Sequence, residues 1–171
     1  PLILWHLGAS TPVRSYRPDR AAEALELLAD AYPGGTIVTI GSRRGLKEYE
    51  IPERPNIWTA VNLHIRTAFA LVDRADCVVC PDSCFGHVAA GLGRPAVSLW
   101  SSFHPDDRVR YYSTHRPLYT PLDCSPCRHH ESSAVQQGCP LGQTDPCANR
   151  YCAGLAAIEP EAILNTVKEI I

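Results

Sequence analysis

Four- to seven-residue apolar runs alternate with segments of helical period along nearly the whole chain, and few folds satisfy that pattern. The runs are "PLILWH", "TIVTIG", the shorter "NIWTAV", "CVVCPD" and "RPAVSLW". Each lacks the polar alternation of a strand with one wet face, so each reads as a strand covered on both sides, as in a parallel sheet. Between them, "PDRAAEALELLADAYPGG" has Pro18 near its start, Ala22, Leu25, Leu28 and Ala29 at helical spacing and a Pro-Gly-Gly stop. "NLHIRTAFALVDRAD" and "CFGHVAAGLG" read as further helices, and "EPEAILNTVKEII" as a closing amphipathic one. The expected fold is α/β: a Rossmann-like open parallel sheet with helices on both faces. His104 to Tyr151 is expected to be a long Cys-rich loop before the C-terminal helix.

With 171 residues, 45% of them apolar, the chain can bury one sizeable core, so residues 1–171 are expected to form a single domain. A net charge of -2 gives no electrostatic case for nucleic acid, and no apolar run is long enough to span a membrane. A cytoplasmic protein is expected. The chain starts at Pro1 and holds no Met, which leads us to expect a piece of a longer product.

In such sheets ligands lie at the carboxyl ends of the strands. Two stretches fall there. Gly8-Ala9-Ser10 is a small-residue turn whose N–H groups can approach a phosphate, with Arg14 and Arg17 near enough to neutralise a diphosphate; a plain connecting turn with solvated arginines reads the same way. The second is "PDSCFGHVAAG". Asp82 and Ser83 there can cap the following helix or present oxygens to a ligand. His87, about one turn on, can donate to a phosphate oxygen or serve as a satisfied core histidine. No Gly-x-Gly-x-x-Gly and no phosphate-loop Lys is present, which argues against a dehydrogenase or an ATPase.

"ADCVVCPDSCFGHVAAGLGRPAVSLW" resembles the signature of glycosyltransferase family 9, the heptosyltransferase-like enzymes: Asp-Ser/Thr-Gly-x-x-His, paired alanines, a small-residue turn with Pro and an apolar strand. "WHLGAS", "NLHIRTAFALVDRAD", "DCSPC" and "CAGLAAIEPEAI" are similar to other parts of that family, so the resemblance spans nearly the whole chain. It implies a GT-B enzyme of two Rossmann-like domains, of which this chain matches the C-terminal, donor-binding half; the N-terminal acceptor domain and its catalytic base would lie outside it. It implies transfer, with inversion, of a heptose-like sugar from a nucleotide diphosphate such as ADP to a glycan, lipid or protein hydroxyl, as in lipopolysaccharide biosynthesis at the inner membrane of a bacterium. This chain alone would then bind nucleotide without turnover. Carried over by position, Asp82 would face the sugar, Ser83, Cys84, Gly86 and His87 the diphosphate, Gly8, Ala9 and Ser10 its other side with Arg14 or Arg17, and Asn62 and Leu63 the base. The sequence departs from the family pattern in three places. Cys84 stands where Gly is usual, an arginine replaces a common Lys, and "GSRRG" lacks the acid often used to hold the ribose.

Eight cysteines remain to be explained. Cys77, Cys80 and Cys84 lie in or beside a strand as small buried groups. Cys124, Cys127, Cys139, Cys147 and Cys152 crowd one polar stretch. The close pair Cys124 and Cys127, with Cys139 and Cys152, suits a tetrahedral iron or zinc ion; Cys147, His129 and His130 are alternatives, and disulfides or free thiols are the competing readings. A redox pair is disfavoured because Cys124 opens no helix after a strand. The branch this stretch resembles, the autotransporter heptosyltransferases, implies iron. No organic cofactor is expected. A different class of reading is a non-catalytic nucleotide-binding or metal-stapled assembly module, or a homo-oligomer contact.

Overall fold

The computed structural model describes residues 1–127 and 151–171. The apolar runs become β1 (Leu2–His6), β2 (Thr36–Gly41), β3 (Ile57–Val61), β4 (Cys77–Pro81) and β5 (Ala96–Trp100). With β6 (His115–Tyr119) they form one six-stranded sheet in the order β3-β2-β1-β4-β5-β6, and every pairing is parallel. β4 and β5 are buried at every position, as their unbroken apolar sequence requires.

Helices cover both faces. α1 (Pro18–Ala31) starts with Pro at its first turn and buries Ala21, Ala24, Leu25, Leu28 and Ala29. This stripe is rotated slightly from the sequence reading, since Ala22 lies at its half-buried margin. A one-turn α2 (Arg43–Leu46) precedes β3, and α3 (Ile65–Arg74) and α4 (Cys84–Gly91) follow. The chain closes with α5 (Ala153–Ala156) and α6 (Pro160–Lys168). One core layer joins Ile3, Trp5, Ile37, Val79, Val97 and Leu99 to α1, Leu155 of α5 and Ile163 and Val167 of α6. The other joins Leu4, Ile40, Val78, Cys80 and Ala96 to Ala68 and Val72 of α3 and Phe85 and Ala89 of α4. The buried Tyr16 hydroxyl donates to Ile158 O at 2.6 Å and ties the closing segment to the first loop.

The stretch expected as loop from His104 corrects the sequence reading at its start, because β6 lies inside it. "HRPLY" has no apolar run, and as an edge strand it needs none: Arg116 faces water, and an edge position tolerates Pro117. Among the described residues, no helix is long and apolar enough to cross a membrane.

Candidate active site at the sheet switch point

β1 and β4 are neighbours, yet their following segments leave the sheet on opposite faces, so a crevice opens between their carboxyl ends. From β1 the chain passes through Gly8–Ser10 into a single turn at Pro12–Arg14. Ser15 braces that loop: its Oγ accepts from Ala9 N at 3.0 Å and donates to Thr11 O at 3.0 Å. The turn carries Arg14 across to β4, where Nη1 donates to Asp82 O at 3.0 Å and stands 3.7 Å from Asp82 Oδ2. Arg14 also donates to Ser10 Oγ and, from Nε at 3.4 Å, to Thr11 Oγ1. Both side chains of the Arg14–Asp82 pair are only 11% exposed. Asp82 Oδ2 is buried and accepts no hydrogen bond from a described residue.

Ser83 sits at the N-cap of α4 but makes no capping hydrogen bond. Its Oγ lies 3.2 Å from Nδ1 of His6, the last residue of β1. The first-turn N–H groups of α4 are therefore not capped by Ser83, and together with the helix dipole they present positive partial charge at the crevice. His6 stacks on Phe85 with ring centroids 4.4 Å apart. Burial lowers its pKa from 6.5 to about 4, so it is neutral at pH 7.

Beside this cluster, a cleft of about 480 Å³ runs over the carboxyl ends of β1 and β2. Gly8, Ala9, Ser10, Ser42, Arg44, Glu48, Tyr49 and Tyr151 line it. The Tyr49 hydroxyl reaches Tyr16 O at 2.9 Å and Leu7 O at 3.0 Å, which pins the cleft floor, and burial raises its pKa. Glu48 Oε2 accepts from the Tyr151 hydroxyl at 2.7 Å.

The family model of glycosyltransferase family 9 (heptosyltransferase) matches residues 52–137, a span that holds Asp82, Ser83 and all of α4. The chain belongs to glycosyltransferase family 9. A search of curated proteins finds no match to it. Among solved structures, the fold is similar to that of Escherichia coli ADP-heptose LPS heptosyltransferase II, at TM-score 0.72 and 21% identity over 99% of this chain and 46% of that one. It is similar to E. coli heptosyltransferase WaaC with ADP-2-deoxy-2-fluoro heptose, at TM-score 0.69 and 14% identity over 98% and 42%. It is similar also to the dodecameric iron-containing heptosyltransferase TibC in complex with ADP-D-β-D-heptose, at TM-score 0.75 and 13% identity over 99% and 45%. TibC comes from enterotoxigenic E. coli. The chain thus spans less than half the length of these proteins, and identities this low carry the fold alone.

Within this family 9 domain, the expected donor residues do not all meet. Gly8, Ala9, Ser10, Arg14, Asp82 and Ser83 converge on the switch point, and Cys84 opens α4 there, exposed. Loss of water around its sulfur raises the Cys84 pKa, so its thiol is not activated. Arg17 instead binds Asp19 in the first turn of α1, at 2.6 and 3.0 Å. Asn62 and Leu63 follow β3, three strand spacings, or roughly 14 Å, from β4. Asn62 adopts φ 54 and its Oδ1 accepts from Arg43 N at 2.9 Å, tying β3 to α2. Gly86 has a packing role: a Cβ there would lie 3.3 Å from both Cys80 Sγ and His115 Nε2. His87 turns toward β6, with Nδ1 3.0 Å from the Tyr112 hydroxyl, and lines a separate cavity of about 290 Å³ with Gly91, Gly93, Tyr111 and Ser113.

Sequence reading missed His6, Ser15, Arg44, Glu48, Tyr49 and Tyr151. Only His6 left a trace, as a polar residue ending an apolar strand. Of the proposed thiol ligands, Cys124 and Cys127 are half-buried and Cys152 is buried. The 124–127 turn is fixed to the end of β5 by Ser125, which donates to Ser101 O, and the Cys152 segment meets Ser101 through Gly154. Cys139, Cys147, His129 and His130 lie outside the described residues. Among the described residues, no three Cys, His, Asp or Glu are grouped to hold a metal ion.

Proposed function

We propose that the chain is the donor-binding half of a heptosyltransferase-like enzyme, acting on an ADP-sugar. The observation that carries this reading is the uncapped start of α4 at the switch point, beside the buried Arg14–Asp82 pair. A donor pyrophosphate at that helix end would accept hydrogen bonds from the first-turn N–H groups, with the Gly8–Ser10 loop lining its other side. These fixed donors stabilise the charge that builds on the leaving nucleoside diphosphate as the glycosidic bond breaks. Asp82, its Oδ2 buried beside Arg14, would orient the sugar through its other carboxylate oxygen. The nucleoside would occupy the cleft over β1 and β2, where Glu48 supplies the carboxylate that "GSRRG" lacks. Transfer is with inversion, to a glycan, lipid or protein hydroxyl. The base that takes the acceptor proton comes from an N-terminal domain outside this sequence.

The reading carries with it lipopolysaccharide-type synthesis at the cytoplasmic face of a bacterial inner membrane. It also assigns Cys124, Cys127, Cys139 and Cys152 to a structural iron or zinc, for which four thiolates are a suitable donor set. Elemental analysis of purified protein with one equivalent of either metal supports that assignment, and less than about a tenth of an equivalent removes it. A non-catalytic nucleotide-binding module is favoured by one observation, the Cβ that Cys84 brings to the first helical position. Calorimetric titration with ADP, UDP and GDP tests binding: ADP is expected to bind tightest, without turnover of an ADP-sugar by this chain alone. No heat with any of the three would remove the reading, and sugar transfer by these residues alone would refute the division of labour.

A further inference from the structure

Glu48 is the one carboxylate among the described residues that line the cleft over β1 and β2, and a residue far along the chain holds it. The Tyr151 hydroxyl donates to Glu48 Oε2 at 2.7 Å, across 103 positions of sequence. A hydrogen bond between two exposed side chains ordinarily gains little, because both must be ordered to make it. Here both backbones are already fixed. Tyr49, next to Glu48, is pinned through its hydroxyl to the carbonyls of Leu7 and Tyr16 on the cleft floor. On the other side, Cys152 and Leu155, which follow Tyr151, are buried in the core layer shared with α1.

The pair has a definite chemical preference. A carboxylate accepts and does not donate, and its two oxygens offer about four lone-pair positions, so the bond from Tyr151 leaves room for further donors. Two hydroxyls in the same cleft already serve the backbone: Ser15 Oγ accepts from Ala9 N and Ser42 Oγ from Gly45 N. A ligand group that suits Glu48 must bring hydrogens to it. The vicinal hydroxyls of a ribose present two donors side by side, whereas a phosphate brings only acceptors and like charge and is repelled. The carboxylate therefore also sets the direction in which a nucleotide can lie, ribose toward Glu48 and phosphates away from it.

We propose that Tyr151 is a positioning residue of the donor cleft: its hydroxyl fixes Glu48 so that the carboxylate takes the ribose hydroxyls, and the cleft selects a ribonucleoside diphosphate over its deoxy counterpart. The inference rests on the reading of the cleft as the nucleoside site. In this role Tyr151 does not touch the ligand; it aims the residue that does. Holding the carboxylate in place before the nucleotide arrives removes an ordering cost from binding. The segment that closes the chain is thereby part of donor recognition as well as of the core.

Calorimetric titration of the full chain with ADP and with dideoxy-ADP, which lacks both ribose hydroxyls, tests it. The parent is expected to bind ADP about tenfold or more tighter than dideoxy-ADP, since the hydroxyls donate to a charged acceptor. Tyr151→Phe keeps the ring and loses only the hydroxyl, so its Tm should match the parent's. It is expected to bind ADP about fivefold more weakly and dideoxy-ADP equally well. Glu48→Gln probes the same contact from the other side: it should bring the two nucleotides close together in affinity, and adding Tyr151→Phe to it should change nothing further. If Tyr151→Phe weakens both nucleotides alike, or neither, the proposal is overturned while ADP binding keeps the cleft reading in place. No heat with ADP from the parent would remove the cleft reading and this inference together.

Discussion

His115 offers a direct test of how this core is built. It opens β6 beneath α4 with 5% of its surface exposed, and neither ring nitrogen has a hydrogen-bond partner among the described residues. Burial, reinforced by nearby His87, lowers its pKa from 6.5 to about 4. Above pH 6.5 neither the native nor the unfolded chain holds this proton. Between 6.5 and 4 the unfolded chain takes it up and the native chain does not, so stability falls as the pH is lowered through that window. At about 1.4 kcal/mol per pH unit of displacement, acidification from about pH 7.5 to about pH 4.5 should cost about 2.5 kcal/mol through this one residue. His115→Leu removes the titration at nearly constant volume. Because no hydrogen bond is lost, its stability at the higher pH should stay within about 1.5 kcal/mol of the parent. Urea unfolding of both proteins at the two pH values measures the difference. His6, also held near 4, contributes equally to both and cancels. If the variant loses as much stability on acidification as the parent, the buried neutral imidazole is not the cause and the reasoning fails.

Two further variants bear on the crevice. Arg14→Met leaves the Asp82 carboxylate nearly buried without its cation; a loss of about 3 kcal/mol is expected, which thermal melting would read as a Tm lower by about 6–12 °C. An unchanged Tm would show that the pair is solvated in solution. Gly86→Ala places a Cβ 3.3 Å from Cys80 Sγ and His115 Nε2. It should cost about 1–2 kcal/mol despite the better helix propensity of Ala, and should weaken ADP binding by lifting the start of α4; calorimetry with ADP reads the second effect.

Most of the sheet was legible because β1, β2, β4 and β5 are buried on both faces and have to be written as unbroken apolar runs. β6 was not, since its position is decided by pairing with β5 and its sequence answers to water on one side. The same division holds in the crevice. Gly8–Ser10 and Asp82–Ser83 could be read because they sit where strands end, and Arg14 because a phosphate loop calls for a nearby cation. His6 against Ser83 could not, because that contact joins residues 77 apart. His87 shows the limit most clearly. Its place one turn into α4 follows from sequence, but its direction is set by Tyr112, which the unforeseen β6 brings into reach.

Arg14 shows why the start of α4 remains open to an anion. An ionised carboxylate at the N-terminus of a helix would ordinarily occupy its N–H groups and cancel its dipole. Here Arg14 bonds the Asp82 carbonyl and neutralises its carboxylate, while His6 engages the Ser83 hydroxyl. Both natural caps are thereby drawn aside, and the amides stay uncapped by Ser83. The arrangement has a consequence for charge. Arg14 is already matched by Asp82, so an incoming diphosphate would be met by the helix amides and the Gly8–Ser10 loop, with Arg44 in the adjoining cleft as the exposed cation. Under the proposed reading, Asp82 would keep its second oxygen for a sugar hydroxyl without repelling the phosphates beside it.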